Sequence, residues 1–209
     1  MYLSRIPLDV SKERTQMALM CPNEIHGAVE ESLSRSDERK LWRIDTLQGK
    51  LYMLILSVSK PDLRSIADQF GYRRMPGESM EYEKLLSRIK DESVWDFRLV
   101  ANPTRYVYRD GGKGKIIACD WERSQLKWLS RQSENKGFRV FPDTVRVSEQ
   151  GWKIFSRRGS ESKVHLFHAT FEGRLMVERA DVFKNALIDG IGREKAYGMG
   201  LLTVVGCRA

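Results

Sequence analysis

Asp189-Gly190-Ile191-Gly192-Arg193-Glu194-Lys195-Ala196-Tyr197-Gly198-Met199-Gly200-Leu201-Leu202 lies near the end of a chain of 209 residues. Its reading turns on what stands either side of it. Val182, Phe183, Ala186 and Leu187 fall at helical spacing before the loop, and Gly190 stands where a glycine stops a helix. Leu201-Leu202-Thr203-Val204-Val205 after it is a short β-rich run. A dinucleotide-binding loop has the reverse order, following a strand and opening a helix. A P-loop is excluded too, because no Gly-Lys-Ser/Thr follows four residues after a glycine. Four glycines in fourteen residues allow a close approach, to a neighbouring backbone or to a phosphate chain. On the loop alone, the plainer reading is a tight helix–strand connection.

Upstream of the loop the pattern alternates strands and helices. Met1–Leu8 is strand-like, and Ser11 to about Ser34 is helical with a restart at Pro22, since proline suits the first position of a helix. Ile25, Val29 and Leu33 give the restarted helix an apolar stripe. Strands follow at Lys40–Asp45 and Leu51–Val58, joined by a turn at 46–49, then a helix at Asp62–Phe70. Trp95, Phe97, Leu99 and Ala101 then alternate with Asp96, Arg98 and Val100 as a half-buried strand. The order β-α-β-β-α-β is a ferredoxin-like unit.

A second pass begins after the basic, turn-rich segment 109–115. A helix carries Trp121, Gln125, Trp128, Leu129 and Gln132 on one side. Strands are expected at Phe138–Phe141, Trp152–Arg157 and Val164–Phe171, followed by the helix Asp181–Ile188 and the final strand. The expectation is an α+β chain of two tandem ferredoxin-like (RRM-like) domains, at residues 1–105 and 116–209.

Lys and Arg number 36 against 28 Asp and Glu, a net charge of +8. This favours a polyanionic partner without establishing one. Cys21, Cys119 and Cys207 are far apart and odd in number, so they suggest no zinc knuckle or disulfide framework and fit a reducing cytoplasm. The N-terminus has no basic stretch leading into an apolar run, and the longest apolar stretch, Leu51–Val58, is too short to span a bilayer. The expectation is a soluble, cytoplasmic protein with no membrane partner and no cofactor or metal.

Several segments, in order, resemble the repeat-processing endoribonucleases of CRISPR systems, and more narrowly the CasE subunit of the type I-E Cascade complex. They are Met1-Tyr2-Leu3-Ser4-Arg5, Pro22-Asn23-Glu24-Ile25-His26, Leu41-Trp42-Arg43-Ile44, Phe97–Pro103, Trp128-Leu129 with Gly137-Phe138-Arg139, Phe171–Leu175, and the glycine loop before Leu201-Leu202. Each is weak alone; together they cover the chain.

The resemblance implies metal-independent cleavage of CRISPR precursor RNA within the repeat. The 2′-hydroxyl attacks the adjacent phosphorus, leaving 5′-hydroxyl and 2′,3′-cyclic phosphate ends. It also implies partners: the repeat stem-loop, which stays bound, and other Cascade subunits. His26 falls at the family's catalytic position, and histidine suits proton transfer near neutral pH. Taken alone, a histidine there is more often structural. A helix N-terminus would favour the neutral imidazole, whereas Glu24 and Glu30 would oppose it. Asn23 stands where relatives often carry tyrosine; it can donate to a phosphate but is neither acid nor base. Gly27 likewise replaces a basic residue of some relatives. RNA contacts are expected from Arg131, from the hairpin residues Arg157, Arg158 and Lys163, and from Arg193 and Lys195 in the loop, each of which could equally be a solvated surface charge. His165 and His168 lie on opposite faces of a strand and cannot share a metal unaided. Two rival readings remain: a non-catalytic RNA-binding scaffold, marked by Asn23, and a basic protein–protein adaptor without an RNA role.

Overall fold

The structure is a computed structural model that describes residues 1–35, 37–109, 112–156 and 162–207. Its first half contains β1 (Tyr2–Pro7), α1 (Glu13–Met20), α2 (Pro22–Glu31), β2 (Lys40–Leu47), β3 (Lys50–Ser57), α3 (Leu63–Phe70) and β4 (Glu78–Glu81). The strands form an antiparallel sheet in the order β2-β3-β1-β4. This is the ferredoxin-like arrangement read from the sequence.

Local chemistry explains the punctuation. Cys21 is pulled out of helical geometry (φ −123°, ψ 89°) because proline crowds the residue before it, so α1 ends and α2 starts at Pro22. Gln48 and Gly49 both have positive φ (50° and 75°), the two-residue turn whose twist matches the strands of a hairpin. Asp62 caps α3 by accepting from the Arg64 and Ser65 amides.

The second half follows α4 (Glu83–Leu86). It comprises β5 (Val94–Ala101), β6 (Thr104–Arg109), β7 (Gly112–Ala118), α5 (Glu122–Asn135), β8 (Phe138–Val140), β9 (Arg146–Ser156), β10 (Lys163–Val177), α6 (Ala180–Asp189) and β11 (Leu202–Gly206). The sheet order is β11-β5-β10-β8, with β9 also pairing β10. With β8 and β9 read as one interrupted strand, this is again the ferredoxin-like order.

Two expectations are corrected. The strand 94–101 does not close the first unit: it lies between β10 and β11 in the second sheet. The first sheet is closed by β4, a short strand of four residues, Glu-Ser-Met-Glu, with a charge at each end, as an exposed edge favours, and no apolar alternation to betray it. The chain therefore changes sheet between Glu81 and Val94, ahead of the expected division at 105–116. Residues around that division form instead an antiparallel hairpin, β6 with β7, inserted between β5 and α5. Residues 110–111 at its tip lie outside the described residues.

Met53-Leu54-Ile55-Leu56 in β3 is a continuous apolar run because both faces of the first sheet are covered. Met53 and Ile55 pack with Ile25, Val29, Ile66 and Phe70 under the helices. Leu54 and Leu56 join Leu41, Leu201, Leu202 and the second unit's core. Arg43 sits in this seam, 1% exposed. Its guanidinium donates to both Asp45 oxygens (3.0 and 2.5 Å), to the Arg98 and Leu201 carbonyls (3.0 and 2.6 Å) and to Thr203 Oγ1 (2.8 Å). Asp45 accepts Arg98 as well, and Arg98 pairs with Glu172, which also takes Arg146.

Arg43→Ala strands a buried carboxylate that keeps only Arg98, and takes a donor from two carbonyls, of which that of Arg98 keeps the Thr203 hydroxyl. The expected loss is about 3 kcal/mol of unfolding free energy, at the low end for a broken buried pair. Urea denaturation monitored by far-UV circular dichroism measures it.

Candidate active site

His26 stands on the shoulder of α2. Ile25, Ala28 and Val29 are buried beneath the helix, while the His26 side chain is 28% exposed. Asn23, His26 and Glu30 fall at i, i+3 and i+7, so they lie along one stripe. His26 Nε2 is 3.4 Å from Glu30 Oε1, and the same oxygen is 2.9 Å from Lys40 Nζ on β2. His26 Nδ1 is buried without a hydrogen-bond partner. Nε2 is therefore the nitrogen positioned to meet a substrate.

The electrostatic question left open by the sequence is decided here. Burial pushes the His26 pKa down, Glu30 opposes it and Lys40 reinforces it, with a net lowering. The Lys40 hydrogen bond in turn holds the Glu30 carboxyl below its ordinary range. At neutral pH the imidazole is neutral and free to accept a proton.

Asn23 does not point at open solvent. Its Nδ2 donates to the Ser156 carbonyl (3.0 Å), at the end of β9, tying the first turn of α2 to the stem of the β9–β10 hairpin. The tip of that hairpin, with Arg157 and Arg158, lies outside the described residues. Lys163 opens β10 opposite Ser156, so its backbone stands at the same place.

The glycine loop is packed into the seam between the two units. Gly198 has φ +79°, and an added Cβ would lie 2.7 Å from the Trp42 ring. The Gly200 amide donates to Val100 and its carbonyl accepts from Ile191, at 2.7 and 2.8 Å. The 3₁₀ turn Lys195–Tyr197 packs against α2, and the Tyr197 ring lies 5.1 Å from that of Phe155 on β9. The plainer reading of this loop holds, with a consequence the sequence did not disclose: the loop braces the helix that bears His26.

The cations of the sequence reading separate. Lys195 is half-buried; burial lowers its pKa, and Arg39 and Lys136 push the same way against Asp189. Arg193 is exposed and lines a different cleft, with Lys115, Trp152 and His165. Arg131 is exposed on α5, and its charge acts on Cys119 together with that of Arg105. His168 is buried and lines a cleft apart from that of His165, as their opposite faces require. Among the described residues no three His, Cys, Asp or Glu side chains stand together as a metal-ligand set, and no helix is long and apolar enough to cross a membrane.

Sequence reasoning missed Lys40 and Ser156. Glu30 was visible, four residues from His26 on a helix. Lys40 and Ser156 reach the site only through tertiary contact.

The family model described as "CRISPR associated protein" matches residues 1–205. The chain belongs to that family. CRISPR-associated endoribonuclease Cse3 of Thermus thermophilus is 27% identical over 218 residues, spanning 98% of this chain and 99% of the relative. CRISPR system Cascade subunit CasE of Escherichia coli K12 is 34% identical over 116 residues, spanning 52% of this chain and 56% of the relative. A structure of Cse3 bound to a 19-nucleotide RNA superposes with TM-score 0.79 at 24% identity, covering 98% of this chain and all of that one. Cas6e of E. coli K-12 superposes with TM-score 0.71 at 20% identity, covering 99% and 100%. Within the family the chain is of the CasE/Cse3 type, and the α+β fold with two ferredoxin-like units is shared with these structures.

Titrating the His26 ring protons by NMR is expected to give a pKa below the ordinary 6.5. Glu30→Gln removes the one contribution that raises it, so the value falls further. Lys40→Met removes a contribution that lowers it and frees Glu30 to attract the proton, so the value rises.

Proposed function

We propose that this protein is an endoribonuclease that cleaves CRISPR precursor RNA within the repeat, remains on the repeat stem-loop, and joins the other subunits of a Cascade complex in the cytoplasm. The observation that carries the reading is the state of His26. One ring nitrogen is buried, the other is presented beside the stem of a hairpin whose tip is cationic in sequence, and the ring is held neutral. The three cysteines form no disulfide among the described residues, in keeping with that compartment.

The reaction follows from these parts. His26 Nε2 takes the proton of the 2′-hydroxyl, the 2′-oxygen forms a bond to phosphorus, and the bond from phosphorus to the 5′-oxygen breaks. Water supplies the proton to the departing 5′-oxygen, and the hydroxide so formed is neutralised by the proton that His26 holds, which returns the imidazole to its base form. The products are a 2′,3′-cyclic phosphate and a 5′-hydroxyl. Because the nucleophile belongs to the RNA, no metal-bound hydroxide is required. Lys40, 2.9 Å from Glu30, keeps that carboxylate from drawing the proton back onto the imidazole.

Phosphate binding by Arg131, Arg157, Arg158, Lys163, Arg193 and Lys195 belongs to the same proposal. For Lys195 the support is electrostatic. Burial first, then two neighbouring cations, depress its pKa, and an incoming phosphate would favour the charged form against both. Asn23 is assigned a different task from the one its family position suggests: it holds the hairpin stem against α2.

His26→Ala is expected to abolish cleavage of the repeat hairpin while leaving its affinity within a few-fold, because the imidazole acts in proton transfer rather than docking. Wild-type cleavage is expected to persist in EDTA and to cease when the nucleotide before the scissile bond lacks its 2′-hydroxyl. Strong cleavage by the alanine variant or of the deoxy substrate sinks the mechanism. Gel analysis of single-turnover reactions provides the measurement.

Asn23→Ala is expected to weaken hairpin affinity by about 1 kcal/mol, one net hydrogen bond, while the single-turnover rate at saturating protein stays near wild type. A rate as low as that of His26→Ala would make Asn23 part of the chemistry instead. Affinity and rate are measured separately on the same hairpin.

A further inference from the structure

Among the described residues six buried side-chain nitrogen or oxygen atoms have no hydrogen-bond partner. Three of them, Trp42 Nε1, His168 Nδ1 and Thr170 Oγ1, belong to residues lining one cleft of about 250 Å³ between the two units. Trp42 is 3% exposed, His168 8% and Thr170 fully buried. Unpartnered buried polar groups are costly, and such a group in a native fold calls for an explanation. Three around one cavity point to something that occupies it.

The strand register builds the cleft. Leu166, His168 and Thr170 alternate along β10 and so share its helix-free face. Lys153 and Glu149 of β9 stand opposite Leu166 and Thr170, and Val100 of β5 flanks Thr170 on the other side. His168 Nε2 lies 3.6 Å from Glu149 Oε1. Over this polar floor stand Leu19, Pro22, Ile25, Trp42 and Tyr197.

The lining selects among ligands. A free phosphate is disfavoured, because Glu149 is in the wall and Arg98 is already committed to Asp45 and Glu172. A metal cation is disfavoured by Lys153. A flat molecule with apolar faces and a donor–acceptor edge suits both the apolar lid and the mixed floor. The cleft's lid includes Pro22 and Ile25 from the same helix turn as His26. Asn23 joins that turn to Ser156, three residues beyond Lys153 on β9.

We infer that this cleft takes one unpaired nucleobase of the RNA, beside the scissile phosphate, with the base's polar edge on Thr170, His168, Lys153 and Glu149. Single-stranded RNA is recognised in this way elsewhere, by splaying a base out and bonding its edge. Held so, the base would fix the sugar–phosphate backbone at the reacting nucleotide. The inference rests on reading His26 as the reacting centre.

The test uses the full chain and the repeat hairpin encoded beside its gene, carrying a 2′-deoxy nucleotide before the scissile bond so that it cannot be cut. Single abasic sites are placed at each unpaired position within three nucleotides of that bond, and affinity is measured for wild type, Thr170→Val and Trp42→Phe. Thr170→Val keeps side-chain shape and removes only an unpartnered hydroxyl, so that protein is expected to keep the wild-type melting temperature and carries the test. Trp42→Phe also removes part of a buried ring packed on Gly198, so its melting temperature is expected to fall and its binding is compared at a temperature where it is folded. With wild type, one abasic position is expected to weaken binding about tenfold, the size of a lost base contact. In each variant the intact hairpin binds several-fold more weakly and the penalty at that position shrinks toward unity. No position-specific penalty in wild type, or one of unchanged size in both variants, overturns the inference. Because binding is measured on uncleavable RNA, cleavage by His26→Ala would overturn the catalytic assignment without touching this result.

Discussion

The molecule depends on the burial of one guanidinium. Arg43 is carried by a strand of the first sheet, yet three of its five acceptors, the Arg98 and Leu201 carbonyls and Thr203 Oγ1, belong to the second unit. Desolvating a guanidinium is expensive, and burial depresses the Arg43 pKa while Asp45 opposes that shift. The arrangement is tenable because the donors are spread over a carboxylate and fixed backbone acceptors, at only one relative placement of the two sheets. The network then runs outward through Arg98 and Glu172 to the exposed Arg146, passing from a buried pair to a solvated one.

That placement determines what α2 meets beyond its own sheet. Its buried face packs on the first sheet through Ile25 and Val29. Its first turn is held by Asn23 to the stem of the β9–β10 hairpin, and its flank is braced by the Lys195–Tyr197 turn of the glycine loop. The loop can come so close because Gly198 presents no side chain to the Trp42 ring. A histidine on a helix supported from three directions keeps its orientation, as the proton transfer proposed for it requires.

The site's charges are arranged as a graded competition. Burial disfavours the charged imidazole of His26, Glu30 opposes that, and Lys40, bonded to the same carboxylate, sides with burial. The imidazole thus rests in its base form. Lys195 carries a related tension, a half-buried cation repelled by Arg39 and Lys136.

The α+β class, most of the longer helices and strands and the helix restart at Pro22 were legible in the sequence, because each depends on local chemistry: proline before a helix, period-two and period-3.6 apolar patterns, glycine at a turn. Glu30 was legible for the same reason. His26 stood out only through the family resemblance, and the hairpin of Thr104–Arg109 with Gly112–Ala118 was not foreseen. Nor was the short strand Glu78–Glu81, since an edge strand with a charge at each end carries no apolar alternation, and its omission displaced the strand at Trp95 into the wrong sheet. Pairing between strands distant in sequence, the ties of Lys40 to Glu30 and of Asn23 to Ser156, and the cleft between Trp42 and Thr170 were decided only by tertiary structure. Each joins residues whose separation along the chain leaves no periodic trace: the tie of Lys40 to Glu30 comes from packing α2 on its own sheet, and the tie of Asn23 to Ser156 and the cleft come from the docking of the two units around a buried arginine.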